Sequence, residues 1–216
     1  IDRGDICENG TDVYVRIIDY KTGKKDFNIV KTYYGIDIQL MVYMEAAMKL
    51  VAKMRPGKNV IPAGVFYYNI SDPIVSATTE SAEEIEDKIK GELRLKGMVN
   101  SDKDIAEKMD NTGGTSLNIP VSRKADGGFD SRRSKVMNTE QFNMLGRFVD
   151  VRAVDTADRI AGGDIRRSPY KDGQFSSCDI CPYGAVCGFS VDLPGCNYRK
   201  LKKFDYVEFV EVLEEE

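Results

Sequence analysis

The first 21 residues place the strongest constraint on what this chain can fold into. The dipeptide Asn9-Gly10 is a strong signal for a tight two-residue turn, and strand-like segments lie on both sides of it. In the second segment the apolar side chains alternate, at Val13, Val15 and Ile17. This is the period of a strand with one buried face. The sequence therefore predicts a β-hairpin whose second strand packs against a core.

The predicted hairpin register places two carboxylates and a lysine on one face of the hairpin. With the predicted turn, Asp2 pairs with Ile17, and Asp19 and Lys21 share the face of Ile17 because side chains alternate. Asp2 is then one diagonal step from Asp19, about 7–8 Å between Cα atoms, so the two carboxylates could share one divalent ion. Oxygen ligands suit Mg²⁺ or Mn²⁺, and a metal-bound water beside an ammonium group suits phosphodiester hydrolysis. The alternative is that these residues are the solvated end of a strand.

The composition excludes several other chemistries. The 216 residues include no histidine, which rules out a Ser-His-Asp triad, a histidine base and a His-ligated metal within this chain. The net charge of -4 gives no global argument for nucleic-acid binding. No apolar run approaches the ~20 residues that span a bilayer, and no signal-peptide pattern opens the sequence, so we predict a cytoplasmic protein.

A long helix is predicted after the hairpin, over Gly35–Met54, ended by Pro56-Gly57. Gln39 and Tyr43 are four residues apart and so share one face of that helix. One interpretation is a half-buried pair whose polar tips reach water. The other is that both tips point back at the hairpin site, where they contact DNA phosphate or orient the scissile group.

The predicted fold class is α/β. A mixed central sheet is built on the hairpin and a strand at Val65–Asn69, with the long helix packed over it and further helices flanking it. Among the later elements, Ser101 is predicted to cap a short helix, Ile160 to face inward from an amphipathic helix, and Tyr206–Val210 to form a strand.

Three of the five cysteines lie in a C-x2-C-x5-C arrangement at Cys178, Cys181 and Cys187. The odd cysteine count and this clustering favour a metal site over a disulfide framework, with chance clustering as the alternative. Zinc and an iron–sulfur cluster both accept thiolate ligands. Cys196 could supply a further ligand, and Cys7 is interpreted as an unpaired thiol.

Three short motifs together resemble those of a known family. They are "IDR" at Ile1–Arg3, "IDYKTG" at Ile18–Gly23 and "QLMVY" at Gln39–Tyr43. Their order and separation are similar to the RecB-type nuclease motifs of the PD-(D/E)xK superfamily, and the chain looks most like the C-terminal nuclease domain of AddB-type subunits of bacterial AddAB helicase–nucleases. The resemblance implies a restriction-endonuclease-like core.

The resemblance also implies roles for individual residues. Asp2 and Asp19 would be the metal ligands, the carbonyl of Tyr20 would add a third oxygen, and Lys21 would be the catalytic lysine. The family's Q-x-x-x-Y motif is matched by Gln39 and Tyr43.

For the cysteines, the resemblance implies a [4Fe-4S] cluster with a structural role. Its ligands would be Cys178, Cys181 and Cys187, in a C-terminal segment over 174–200, with the fourth ligand either upstream of Ile1 or Cys196. We expect residues 1–216 to be a single RecB-like nuclease domain from a larger protein.

By the same resemblance, the module would be a Mg²⁺- or Mn²⁺-dependent DNA exonuclease. It would act on single strands delivered by an AddA-type helicase–nuclease subunit during double-strand-break repair. Two rivals remain: a non-catalytic DNA-binding or assembly module with the same fold, and a stand-alone RecB-like nuclease of CRISPR adaptation or phage type.

A polar, Gly-rich segment from Asn111 to Asn138 is predicted to contain an exposed hairpin around Asp126-Gly127-Gly128. Its cations are Arg123, Lys124, Arg132, Arg133 and Lys135. We favour a solvated hairpin, because charge runs usually face water, over contact with DNA phosphates.

Overall fold

The computed structural model describes residues 1–76, 81–203, 208–209 and 211–212. The strands are β1 Arg3–Asn9, β2 Asp12–Lys21, β3 Asn59–Asn69, β4 Lys96–Asn100, β5 Val136–Met137, β6 Tyr170–Asp172, β7 Phe175–Ser176 and β8 Arg199–Lys200. The helices are α1 Ile29–Tyr33, α2 Gln39–Met54, α3 Ala82–Leu93, α4 Lys103–Met109, α5 Thr139–Ala161 and α6 Gly184–Cys187, with a 3₁₀ turn at Ser177–Ile180. Within these ranges, no helix is both long and apolar enough to cross a bilayer.

The central sheet has five strands in the order β1-β2-β3-β4-β5. Strand β2 pairs antiparallel with β1 and parallel with β3, and β4 pairs antiparallel with β3 and parallel with β5. The sheet is therefore mixed, and the α/β prediction is confirmed. The interior position of β2 explains why its sequence is apolar on both faces, as expected for a strand covered on both sides.

The largest core cluster lies between one face of the sheet and helices α2 and α5. From β2 it includes Val13, Val15 and Ile17, so the alternating stripe read from the sequence does face a core. The opposite face carries Ile18 of β2 and Phe66 of β3, and is covered by α4 and by the loop that contains buried Ile119 and Val121. The sheet is thus sandwiched, and the face that carries Asp19 and Lys21 is the α2 face.

The hairpin register differs from the predicted one by two residues. Asn9 pairs with Asp12, so the turn is centred on Gly10-Thr11 rather than on Asn9-Gly10. Gly10 has φ 62°, and no other residue type in the described ranges has a positive φ. A turn with a positive φ at its first central position alone favours glycine there, which moves the turn by one residue.

Three local predictions, concerning a helix start, a helix cap and the burial of one side chain, are wrong. Helix α2 begins at Gln39 rather than at Gly35, because Gly35 has φ 71° after the short helix α1. The cap of α4 is Asp102, whose carboxylate accepts the amides of Asp104 and Ile105, not Ser101. Ile160 near the end of α5 is 73% exposed and faces solvent.

The polar segment before α5 is ordered by one buried carboxylate. Asp110 accepts hydrogen bonds from the Thr112 amide, the Ser116 hydroxyl and the Asn118 amide group. Burial by itself would raise the pKa of this carboxyl, but these hydrogen bonds outweigh it and lower the pKa to about 2. Arg123 donates to the Asp110 and Thr112 carbonyls, so this cation is used to hold the loop.

The hairpin predicted within that segment is present as a tight turn. Arg123 and Phe129 form an isolated antiparallel bridge, and Gly127 between them has φ 78°. At the end of the chain, residues 204–207 and 210 lie outside the described part, so the strand predicted there is not tested. The two of its residues that are described, Glu208 and Phe209, are helical.

The close approach of β3 and β4 gives a stability prediction. A Cβ at Gly97 would overlap the carbonyl oxygen of Val65, whereas a Cβ at Gly91 in α3 meets nothing within 4 Å. We expect Gly97→Ala to destabilise the fold by about 3 kcal/mol or more, because the strand backbones would have to separate. Gly91→Ala should stabilise it by about 0.5–1 kcal/mol through helix propensity.

Urea denaturation followed by far-ultraviolet circular dichroism checks both glycine variants. The matched pair separates a steric effect from a general intolerance of added methyl groups. Equal midpoints for Gly97→Ala and the unsubstituted protein would contradict the strand packing described above.

Candidate active site

A buried carboxylate lies at the end of β2. Asp19 is 3% exposed and pairs with Tyr67 of β3, two residues after Ile17 on the α2 face. Its Oδ2 atom is 2.5 Å from the Nζ atom of Lys21. In the described part of the chain, however, this oxygen is the one buried side-chain polar atom that makes no aligned hydrogen bond. The charge of Lys21 offsets the charge of this oxygen, but a buried oxygen without an aligned hydrogen bond remains a candidate ligand for a cation.

The ammonium group of Lys21 is held between β2 and α2. Besides the contact with Asp19, its Nζ donates to Oε1 of Gln39 at 2.8 Å. The Nε2 atom of Gln39 donates in turn to the Tyr43 hydroxyl at 2.9 Å. Gln39 and Tyr43 lie on the first turns of α2, one helical turn apart, so the amide is fixed with its oxygen toward the lysine. The four side chains form one connected series.

Asp2 reaches the same strand end from β1. Its Oδ2 atom accepts the backbone N–H of Tyr20 at 2.9 Å. The observed register pairs Arg3 with Ile18, so Asp2 continues the ladder opposite Asp19 and not opposite Ile17. Residues directly opposite in an antiparallel pair share a face, and the correction therefore brings the two carboxylates closer in register than the diagonal step predicted from the sequence.

A second layer of residues, which the sequence analysis missed, supports Lys21. Tyr67 is 1% exposed, and its hydroxyl donates to Oδ1 of Asp37 at 2.9 Å. The Nζ atoms of Lys21 and Lys25 lie 5.6 and 5.5 Å from the centre of the Tyr67 ring, within cation–π range. Lys25 also pairs with Asp37 at 2.8 Å.

The protonation of Tyr67 is fixed by this environment. Burial raises the pKa of its hydroxyl far above the ordinary value, and the hydrogen bond to Asp37 and the charge of that carboxylate raise it further. Tyr67 is therefore a neutral donor throughout the working pH range. Only its place in a strand predicted at Val65–Asn69 was visible in the sequence, because its pairing with Asp19 depends on a parallel register between distant segments.

The residues at the strand end fit a divalent cation. The Asp19 oxygen is paired with Lys21 but makes no aligned hydrogen bond, and Asp2 supplies a second carboxylate nearby. The described residues contain no group of three His, Cys, Asp or Glu side chains placed to hold a metal. Mg²⁺ does not need one, because it is commonly bound by one or two carboxylates with water and substrate phosphate completing its shell.

The cysteine segment has its own framework. Strands β6, β7 and β8 form a small sheet, in the order β7-β6-β8, that brackets it. Cys178 and Cys187 are half-buried, Cys181 is exposed, and all three are free thiols. Since the described residues hold no three-ligand group, the structure offers no preformed site for a cluster there. Cys7 is exposed and free, as predicted.

Comparison with known protein families gives a match along most of the chain. The family model of the PD-(D/E)XK nuclease superfamily matches residues 1–188. Members of that superfamily generally use divalent metals, which agrees with the fit of the carboxylates. The mixed sheet with flanking helices also agrees with the fold of that family.

Individual relatives match along almost the whole chain. The ATP-dependent helicase/deoxyribonuclease subunit of Thermoanaerobacter sp. (strain X514) is 36% identical over 100% of this chain and 19% of its own length. Subunits of the same name from Caldanaerobacter subterraneus subsp. tengcongensis and Clostridium botulinum (strain Hall) are 38% and 37% identical, over 94% and 93% of this chain and 17% and 18% of their own lengths. The chain spans about a fifth of the length of these relatives.

The buried carboxylate of Asp19 gives a metal-binding prediction. At a Ca²⁺ or Mn²⁺ concentration ten times the Kd, binding to the folded state should stabilise the protein by roughly 1.4 kcal/mol. The ion should therefore raise the thermal unfolding midpoint of the unsubstituted protein. We expect this increase to disappear in Asp19→Asn and to persist in Asp158→Asn, a control at an exposed carboxylate of α5. Differential scanning fluorimetry with and without the ion checks it; an unchanged increase in Asp19→Asn would remove this carboxylate as a ligand.

Proposed function

Because the chain belongs to the PD-(D/E)XK nuclease superfamily, we propose that it is a divalent-metal-dependent deoxyribonuclease module that cuts single-stranded DNA. The single observation that carries this proposal is the series Asp19–Lys21–Gln39–Tyr43, held at the end of a buried strand with an Asp19 oxygen that makes an ion pair but no aligned hydrogen bond. A non-catalytic binding module would not require a buried carboxylate that lacks an aligned hydrogen bond.

Metal chemistry would depend on the two carboxylates. Asp2, Asp19 and the carbonyl of Tyr20 are the proposed ligands of Mg²⁺ or Mn²⁺. When bound there, such an ion polarises the phosphoryl oxygen and lowers the pKa of a bound water. The burial of Asp19 keeps this carboxylate in a fixed position and excludes competing water from one side.

Lys21 is proposed as the catalytic cation. Its ammonium group lies beside Asp19, one of the proposed ligands of the ion, so it is placed to contact a phosphate held at the same carboxylates. A cation placed there stabilises the negative charge that develops on the phosphate oxygens during attack by water. No proton has to be taken up by a histidine, and the chain has none.

Gln39 and Tyr43 are proposed to position Lys21. The hydrogen bond from Nζ to Oε1 of Gln39 selects one orientation of the ammonium, and the bond from Gln39 to Tyr43 fixes the amide. The Tyr67 ring below Nζ limits the remaining freedom. Because catalysis by fixed charges depends on their placement before reaction, this shell would contribute to rate without touching the scissile bond.

The setting of the activity is inferred from the relatives. Their names describe subunits that combine helicase and deoxyribonuclease functions. We therefore place this module in a cytoplasmic helicase–nuclease, where an AddA-type partner would deliver single strands during double-strand-break repair. The stand-alone CRISPR-type or phage-type alternative is less favoured, because these relatives are about five times longer than the chain.

The iron–sulfur proposal rests on the cysteine spacing and the donor chemistry. Cys178, Cys181 and Cys187 provide thiolates, which are the ligands such clusters use. Metal-binding loops commonly take up their final geometry only when the metal binds, so the absence of a preformed site among the described residues does not conflict with this proposal. The small sheet that brackets the segment would keep its ends fixed while the loop closes around the cluster.

The role of Lys21 is tested by cleavage of a labelled single-stranded oligonucleotide by the full-length protein in Mg²⁺ or Mn²⁺. We expect Lys21→Ala to reduce kcat by about 10²–10³-fold, the usual effect of removing one preorganised electrostatic partner. Lys53→Ala, which removes an exposed lysine at the far end of α2, should leave the rate unchanged. Equal activity of Lys21→Ala and the unsubstituted protein would refute the assignment.

The cluster is tested by metal analysis of the anaerobically purified full-length protein. We expect brown material containing iron and sulfide, with iron lost in Cys181→Ser and retained in Cys7→Ser. Cys196→Ser decides whether this residue is the fourth ligand. Colourless protein that contains zinc, or iron content unaffected by Cys181→Ser, would overturn the cluster proposal.

A further inference from the structure

A basic cavity adjoins the candidate active site. It has a volume of about 420 Å³ and lies between the loop after β2, the end of β3, the start of β4 and the segment before β5. Its lining includes two carboxylates, Asp26 and Glu92, and six cations. The cations are Lys24, Lys25, Arg94, Lys96, Arg133 and Lys135. Since the chain as a whole carries a net charge of -4, this is a local concentration of positive charge.

Half of these cations already have partners within the fold. Lys25 pairs with Asp37, Lys135 pairs with Asp26 at 2.6 Å, and Arg94 donates to two loop carbonyls. These three build the walls of the cavity. Desolvation lowers the pKa of Arg94 somewhat, as expected for a half-buried guanidinium in a structural position.

The other three cations of the cavity have no partner of this kind. Within the described residues, the side chains of Lys24, Lys96 and Arg133 make no ion pair and no hydrogen bond, although they line one cavity. Asp26 is paired with Lys135, so Glu92 is the one remaining carboxylate of the described lining, and the cations are in excess. Such an excess of positive charge raises the local concentration of anions. The arrangement is therefore complementary to a ligand with more than one negative charge.

The cavity is connected to the candidate active site through Asn69. This residue pairs with Lys21 across β2 and β3. Its side chain both donates to the Lys25 carbonyl and accepts the Lys25 amide, which fixes the loop that forms one wall. Lys25 in turn lies over the same Tyr67 ring as Lys21. A polyanion bound at Lys21 could thus continue directly into the cavity.

We propose that this cavity is a phosphate-binding subsite that holds the backbone of single-stranded DNA beside the scissile bond, through Lys24, Lys96 and Arg133. The inference rests on the proposed nuclease function, and adds to it the route of the bound strand. Among the described residues, no aromatic side chain lines the cavity, so it offers cations for phosphates and no platform on which bases could stack. Recognition there is independent of base sequence.

The test uses the full-length protein, a short single-stranded oligonucleotide and two substitutions, Lys96→Ala and Arg133→Ala. Removal of one cation–phosphate interaction should reduce the slope of log(kcat/KM) against log salt concentration by about 0.7. In the double variant the slope should fall by about twice that amount, with a raised KM and an unchanged kcat at saturating DNA. Poly-dT and mixed-sequence oligonucleotides should be affected alike.

Arg132→Ala provides a matched control, because Arg132 is exposed, carries the same charge, is the immediate neighbour of Arg133 and does not line the cavity. We expect it to change the salt slope little. If Arg132→Ala and Arg133→Ala act equally, or if the double variant keeps the original slope, the subsite does not exist.

A binding measurement without metal separates this inference from the proposed function. Fluorescence anisotropy of a labelled oligonucleotide in EDTA should show weaker binding in the Lys96→Ala/Arg133→Ala variant than in the unsubstituted protein. Unchanged binding there, together with loss of cleavage in Lys21→Ala, would refute the subsite and leave the nuclease in place. Weaker binding, together with full cleavage by Lys21→Ala, would support the subsite as a DNA-binding surface and refute the catalytic assignment.

Discussion

The burial of Asp19 is the constraint on which the rest of this structure depends. A carboxylate that is 3% exposed, with one oxygen free of hydrogen bonds, is unfavourable by itself. It is tolerated because β2 is an interior strand, anchored by Val13, Val15 and Ile17 in the main core, and because the Lys21 ammonium lies beside it. Such a pair is weak evidence for stability, since replacing it with apolar residues often costs nothing. Its persistence is better explained by a function that needs a fixed, desolvated ligand.

Much of the fold could be predicted from local signals. The alternating stripe of β2 identifies the buried face, and the four-residue spacing of Gln39 and Tyr43 identifies the face of α2 that meets it. The register of the hairpin could not be predicted, because either Asn9 or Gly10 could be the first central residue of the turn. The two alternatives differ only slightly in the energetic cost of a positive φ at that residue. The error of two residues preserved the parity of side chains, so the predicted site survived it.

The supporting shell of the site lay beyond sequence reasoning for a different reason. Tyr67, Asp37 and Lys25 belong to three separate segments, which meet only when β3 pairs in parallel with β2. A parallel register is set by a crossover of many residues and leaves no short-range pattern. The early start predicted for α2 has the same origin. Gly35 ends the previous turn, and Asp37 is then turned toward Tyr67 and Lys25 instead of entering the helix.

The distribution of charge links the catalytic residues to the cavity beside them. Near Asp19 each cation is assigned to a partner: Lys21 to Gln39 and the carboxylate, and Lys25 to Asp37. Further along the same wall, Lys96 and Arg133 have no partner among the described residues. A cation that must act at one atom needs a fixed position, whereas cations that attract a flexible polyanion act through their summed field and need no fixed geometry. The two kinds of cation environment therefore serve two tasks: one places a phosphate at the carboxylates, and the other retains the strand that carries this phosphate.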